Sequence, residues 1–140
     1  MRHDQYPDSY IPNILAGTRV IALVGASPKP SRDSYEVMQF MQRHGYRVIP
    51  VNPQAAGTTI LGETCVTALA DIAEPVDMVD VFRKSDAVPE IVDAAIAIGA
   101  KTIWLQLGVV HAEAARRAEA AGIAVVMDRC PKIELLRTAG

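Results

Sequence analysis

The chain predicts an α/β fold, a doubly wound parallel sheet of about five strands with helices on both faces. Two observations carry this. Five short runs are apolar on both alternating faces, as strands covered on both sides must be, and the segments between them repeat their apolar residues at intervals of three and four. Half of the 140 residues are hydrophobic, 5% aromatic and 21% charged, which is the composition of a packed protein rather than a disordered one.

In chain order, residues 1–17 read as an N-terminal arm or short helix, with Ile11 to Ala16 as one amphipathic turn against the sheet and the extreme terminus loose; residues 18–140 read as one domain. The strands are Val20 to Val24, Arg47 to Val51, Met78 to Phe82, Thr102 to Leu105 and Ile123 to Met127. A first helix carries Val37, Phe40, Met41 and His44, a second Val88, Ile91, Val92 and Ala95, and a third Ala114, Ala115, Ala118 and Ala121. Asp33 with Glu36 has capping-box spacing, Ser85 and Asp86 precede the second helix, and Gly45, Gly99 and Gly122 follow last turns. The stretch from Pro53 to Ala73 has no clean period and is expected to cross the surface, with an extended piece at Thr59 to Leu61. The alternation implies a Rossmann-like sheet with right-handed crossovers, expected in the strand order 3-2-1-4-5.

A net charge of -2 offers no basic field for nucleic acid. Cys65 and Cys130 lack metal-ligand spacing, and no run of 18 apolar residues suggests a membrane span or a signal segment, so a cytoplasmic protein with reduced thiols is expected.

In such sheets ligands bind beyond the carboxyl ends of the strands. The first loop, Gly25 to Ser34, leads into a helix N-terminus that suits a phosphate. Within it Gly25 and Ala26 allow close approach, Ser27 and Ser31 offer hydroxyls, and Lys29 and Arg32 supply countercharge. The second and third glycines of the dinucleotide fingerprint are absent. At the end of the second strand Asn52 and Pro53 stand where NAD-binding domains place an acid. Either the neutral amide accepts a phosphorylated ribose, or the pair simply turns the chain. Phe82 and Arg83 end the third strand, as a ring over adenine or an apolar linker and a phosphate partner, although for an isolated phenylalanine the core is the commoner place. Gln106 offers donor and acceptor after the fourth strand, and Gly108 admits a chain-like ligand.

Asp80 inside an apolar run is expected to hydrogen-bond a neighbouring loop, and His111 to cap the helix at Ala112. Cys130 is placed at the start of the last helix, either as a packed thiol or as a reactive one. No serine, histidine and acid set and no metal cluster assembles from the sequence, so no catalytic residue and no metal ligand is assigned.

Taken together, Val24-Gly25-Ala26-Ser27, Gly45 to Pro53, Ile60-Leu61-Gly62, Val79 to Arg83, Trp104 to Gly108 and Asp128-Arg129-Cys130 resemble the stand-alone CoA-binding domains, kin of the nucleotide-binding half of the succinyl-CoA ligase alpha subunit. The resemblance runs from about Thr18 to Arg137. It implies coenzyme A phosphates on the loop from Gly25 to Arg32, adenosine near Asn52 and Pro53, and the remainder along Phe82-Arg83 and Gln106 to Gly108. The ligase relatives do their chemistry with a phosphorylated histidine and an ATP-binding partner outside this domain. The expectation is therefore a non-catalytic module for coenzyme A or a short acyl-CoA, a carrier, sensor or regulator whose protein partner is unknown. Two rival readings are an NAD(P)H-binding redox sensor or oxidoreductase, and thiol chemistry of Cys130 with the coenzyme.

Overall fold

A computed structural model describes residues 1–139, so Gly140 of the expected domain lies outside the described residues. Its elements in chain order are α1 (Tyr10–Ala16), β1 (Val20–Val24), α2 (Asp33–Arg43), β2 (Arg47–Val51), β3 (Thr59–Ile60), β4 (Glu63–Thr64), β5 (Met78–Val81), α3 (Val88–Ile98), β6 (Thr102–Leu105), α4 (Ala112–Ala120), β7 (Ala124–Val126) and α5 (Pro131–Ala139). Five parallel strands form the main sheet in the order β2-β1-β5-β6-β7.

The α/β class and the five strands are as the periodicity predicts; the expected order 3-2-1-4-5 is not. The third of the five long strands, β5, lies inside, paired with β1 and β6, which gives 2-1-3-4-5. Two physical reasons favour this. All four residues of β5 are buried, so the strand needs cover on both faces and a neighbour on each side. The outer edge of β2 is taken by the following segment, where the Val66 N–H donates to Pro50 O at 3.0 Å and Asn52 N–H donates to Val66 O at 2.9 Å. That segment also contains the β3–β4 hairpin, which includes the extended piece expected near Thr59.

Alternation along the strands builds two cores. Ala22, Val79, Val81, Ile103 and Leu105 meet Val88, Val92 and Ala95 of α3 and Ala114 and Ala118 of α4. On the opposite face Ile21, Leu23, Met78, Trp104 and Val126 meet Ile11 and Leu15 of α1 and Val37, Met38 and Met41 of α2.

The N-terminal arm is tied down rather than loose. Tyr10 Oη donates to Val125 O at 2.8 Å and accepts from Val125 N–H at 3.1 Å, while Tyr6 Oη accepts from Met127 N–H at 2.8 Å. The two rings stack with centroids 5.2 Å apart, and the Arg129 guanidinium lies 5.2 Å from the centre of the Tyr6 ring.

Asp80 interrupts the second core, between Leu23 and Trp104 in the sheet. The expected hydrogen bond to a loop is not made: Asp80 is 1% exposed and its Oδ1 has no partner. Its neighbours across the sheet are apolar, so burial alone acts on the carboxyl and pushes its pKa up to about 8. The folded protein therefore holds this proton through a range in which the unfolded chain has released it. Stability present at low pH is lost as pH rises from about 4 towards 8, at about 1.4 kcal/mol per pH unit for one proton. Asp80→Asn keeps the shape and removes the titration. Urea unfolding at pH 5 and pH 7.5 should show the variant gaining on the native chain as pH rises; a gap independent of pH would contradict a buried neutral carboxyl.

Candidate functional site

β1 feeds α2 onto one face of the sheet and β5 feeds α3 onto the other, so the chain parts between their carboxyl ends. Two adjoining clefts lie there, of about 590 Å³ and about 730 Å³, with Asp33 and Phe82 in the walls of both.

The smaller cleft is built by the loops after β1 and β2. Gly25 has φ +91°, its N–H donates to Val51 O at 2.9 Å, and a Cβ at this position would stand 2.2 Å from the Phe82 carbonyl oxygen. The glycine is thus required by the neighbouring strand, before any ligand is considered. Ala26, Ser27, Lys29 and Arg32 all line this cleft, as do Asp33 and Ser34 at the start of α2. Ser27 Oγ accepts from the Lys29 N–H at 3.1 Å, which leaves its own proton to donate. Neither Lys29 nor Arg32 makes an ion pair among the described residues. The capping box expected of Asp33 and Glu36 does not form, because Arg32 occupies the cap position and no side chain caps α2. Ser31 is not in the wall of either cleft.

Asn52 lines the smaller cleft but is already engaged: Nδ2 donates to Ala26 O at 2.8 Å, and Oδ1 accepts from Gln54 N–H at 2.9 Å. Its amide ties the first loop to the second. Pro53 does not reach the wall, whereas Gln54, Ala55 and Thr58, which the sequence reading missed, do. The signal for them was the Asn-Pro turn itself, closed by the Ala55 N–H donating to Asn52 O at 3.1 Å, which swings the next residues back over the sheet. Cys65 supports this turn from below, its Sγ 3.6 Å from Asn52 O, and burial pushes its thiol pKa up.

The larger cleft takes Phe82, Arg83 and Lys84 after β5, Gln106, Leu107, Gly108 and Val109 after β6, and Cys130, Lys132 and Ile133 around the start of α5. Phe82 is half-buried and packs on the second core while facing both clefts. Gln106 Oε1 is buried without a partner, an acceptor left open in the wall. Gly108 turns the loop at φ +80°, and its N–H donates to Asp128 Oδ1 at 2.7 Å. Lys132 Nζ spans to Glu36 Oε1 at 2.6 Å, bridging α5 to α2. Cys130 stands immediately before α5 as expected, 7% exposed and yet part of the cleft wall. His111 caps α4, its Nδ1 accepting from Ala114 N–H at 3.1 Å.

A family model described as a CoA binding domain matches residues 19–135, the span that contains every loop of both clefts. The chain belongs to this CoA-binding domain family. It is 38% identical over 123 residues to the uncharacterized protein YneT of Bacillus subtilis (strain 168), covering 88% of this chain and 90% of that one. A hypothetical protein from Pyrococcus horikoshii OT3 shares 40% identity with a TM-score of 0.91, covering 100% of this chain and 98% of that one. The dinucleotide forming acetyl-coenzyme A synthetase 1 of Ca. Korarchaeum cryptofilum, in its apo form, is 26% identical with a TM-score of 0.66, over 76% of this chain and 25% of its own.

As a test of how this CoA-binding domain holds its first loop, Gly25→Ala should cost about 2–4 kcal/mol, because strain at positive φ adds to a backbone collision. Gly108→Ala, at a similar φ with nothing within 4 Å of the added carbon, should cost only about 1 kcal/mol. Chemical denaturation of both variants checks the difference; equal losses would show that φ alone matters.

Proposed function

We propose that this protein is a non-catalytic binding module for coenzyme A or a short acyl-CoA, serving as a carrier, sensor or regulator in the cytoplasm. The phosphorylated adenosine occupies the smaller cleft and the pantetheine arm runs past Phe82 into the larger one. One observation carries the reading: a cationic, helix-headed cleft and a more apolar cleft share a wall at Phe82 in a chain of the CoA-binding family. Lys29, Arg32, Arg83 and Lys84 are exposed and make no ion pair among the described residues, so they remain available to phosphates. The first turn of α2 adds its N–H groups to the smaller cleft, beside Lys29 and Arg32, while Arg83 and Lys84 stand in the larger one. Gln106 Oε1 suits an amide N–H of the pantetheine arm. In this reading the binding domain is residues 18–140, with residues 1–17 as an arm that serves the fold.

Asn52, at the position where an acid would hold the ribose of NAD, counts against NAD, and the absent second and third glycines of the dinucleotide fingerprint count against the NAD(P)H reading as a whole. Both cysteines are free and buried, which suits a reducing compartment. Thermal unfolding with coenzyme A in hundredfold excess over its Kd should show about 2.7 kcal/mol of stabilisation. Lys29→Ala with Arg32→Ala should weaken binding about tenfold or more, since each removes a charge-assisted hydrogen bond. Stabilisation by NADPH and none by coenzyme A would remove the reading.

A second reading rests on Cys130, whose place in the larger cleft is where the coenzyme's thiol end would arrive. Its thiolate would attack a coenzyme A disulfide, forming a mixed disulfide and releasing one coenzyme A thiol. Intact mass after incubation with that disulfide should show a single adduct, lost in Cys130→Ser; an unmodified native chain would reject it.

A further inference from the structure

Among the described residues, the exposed large hydrophobic side chains include Leu107 at 54% and Ile133 at 42%, and both line the larger cleft. They come from different elements, the loop after β6 and the first turn of α5. Behind them the same cleft is walled by the buried Val37 and Val109. Exposed aliphatic groups gathered in one concave site, with apolar walls, mark a place where burial of an apolar ligand is favourable.

The order of strands says which end of the ligand arrives there. The smaller cleft stands over β2 and β1, whereas Leu107 and Ile133 follow β6 and β7. Three steps across the sheet from β1 to β7 are about 14 Å at the usual strand spacing. That is the reach of about four extended residues, comparable to a pantetheine arm. On the α5 side of this cleft Lys132 is held by Glu36 at 2.6 Å, whereas Arg83 and Lys84 after β5 line the same cleft and make no ion pair among the described residues. An acyl group ending in a carboxylate would give up water against Leu107 and Ile133, whereas an aliphatic one gains from the same contact.

Resting on the coenzyme reading above, we infer that the ligand is an aliphatic acyl-CoA thioester, bound in preference to the free thiol, with its acyl chain covered by Leu107 and Ile133. Arg83 and Lys84, which follow β5, stand in the wall of the larger cleft on the path from the phosphates to the acyl end.

The test is a calorimetric series on the full chain with 3',5'-ADP, coenzyme A, acetyl-CoA, butyryl-CoA, hexanoyl-CoA and succinyl-CoA. Affinity should rise along the aliphatic series by about two- to fourfold per methylene covered, and succinyl-CoA should bind more weakly than hexanoyl-CoA. In Leu107→Ser with Ile133→Ser, the ratio of hexanoyl-CoA to coenzyme A affinity should fall towards one. If coenzyme A binds and hexanoyl-CoA binds no tighter, the acyl proposal is overturned while the coenzyme reading stands, and the patch passes to a protein partner. A slope with chain length that survives the double variant overturns it equally. If neither coenzyme A nor 3',5'-ADP binds, the coenzyme reading itself fails and the acyl proposal goes with it.

Discussion

Where β1 ends, three backbone contacts meet within a few residues. Gly25 N–H donates to Val51 O at 2.9 Å, Phe82 N–H donates to Val24 O at 2.8 Å, and the Phe82 carbonyl fills the space where a side chain of residue 25 would be. The Asn52 amide then reaches to Ala26 O at 2.8 Å. These contacts lock the exits of β2, β1 and β5 into one rigid ledge, from which the first loop departs toward α2 and Phe82 departs between the clefts. Shift that ledge and the walls on both sides move together, because each is anchored to a hydrogen bond of its neighbour rather than to solvent. The site is therefore a property of strand pairing first and of side chains second.

Much of this is legible in the amino-acid sequence. Strands buried on both faces and helices with a three-four period leave patterns that depend only on local residues, and the five loops follow from them. Strand order does not. Whether β5 lies beside β1 or outside β2 is decided by what covers the edge of β2, and that cover is the aperiodic segment through Val66, whose pairing leaves no local signature. The same segment hid Gln54, Ala55 and Thr58. Asp33 and Glu36 had the right spacing for a capping box, yet the preceding residue is Arg32, which has no oxygen to accept from the helix. Asp80 looked like a hydrogen-bonding group because buried carboxylates usually are, and only the packing around Leu23 and Trp104 shows that nothing is there to answer it.

Several groups in the cleft walls stand without an internal partner. Gln106 carries an unanswered oxygen, Lys29 and Arg32 lack counterions among the described residues, and Leu107 is left in water, whereas cations such as Arg47 and Arg117 elsewhere on the surface are paired with carboxylates. The buried Gln106 oxygen costs some stability in the free protein, and each of these groups is of a type that a phosphorylated, amide-bearing, partly apolar molecule would satisfy. Asp80 is the exception, since it lies in the core beneath and not in a cleft wall.

The phenol of Tyr10 has a consequence beyond holding the arm. A sheet of parallel strands that ends in an open border is adhesive: its unused amides invite a strand from another molecule. Here the border strand β7 meets a side-chain hydroxyl that both gives and takes a hydrogen bond at Val125, while Tyr6 Oη accepts the N–H of Met127 just beyond it. The stretch from Tyr6 to Tyr10 thus behaves as a built-in blocker of sheet extension, so trimming it would endanger solubility well before it altered what the protein binds.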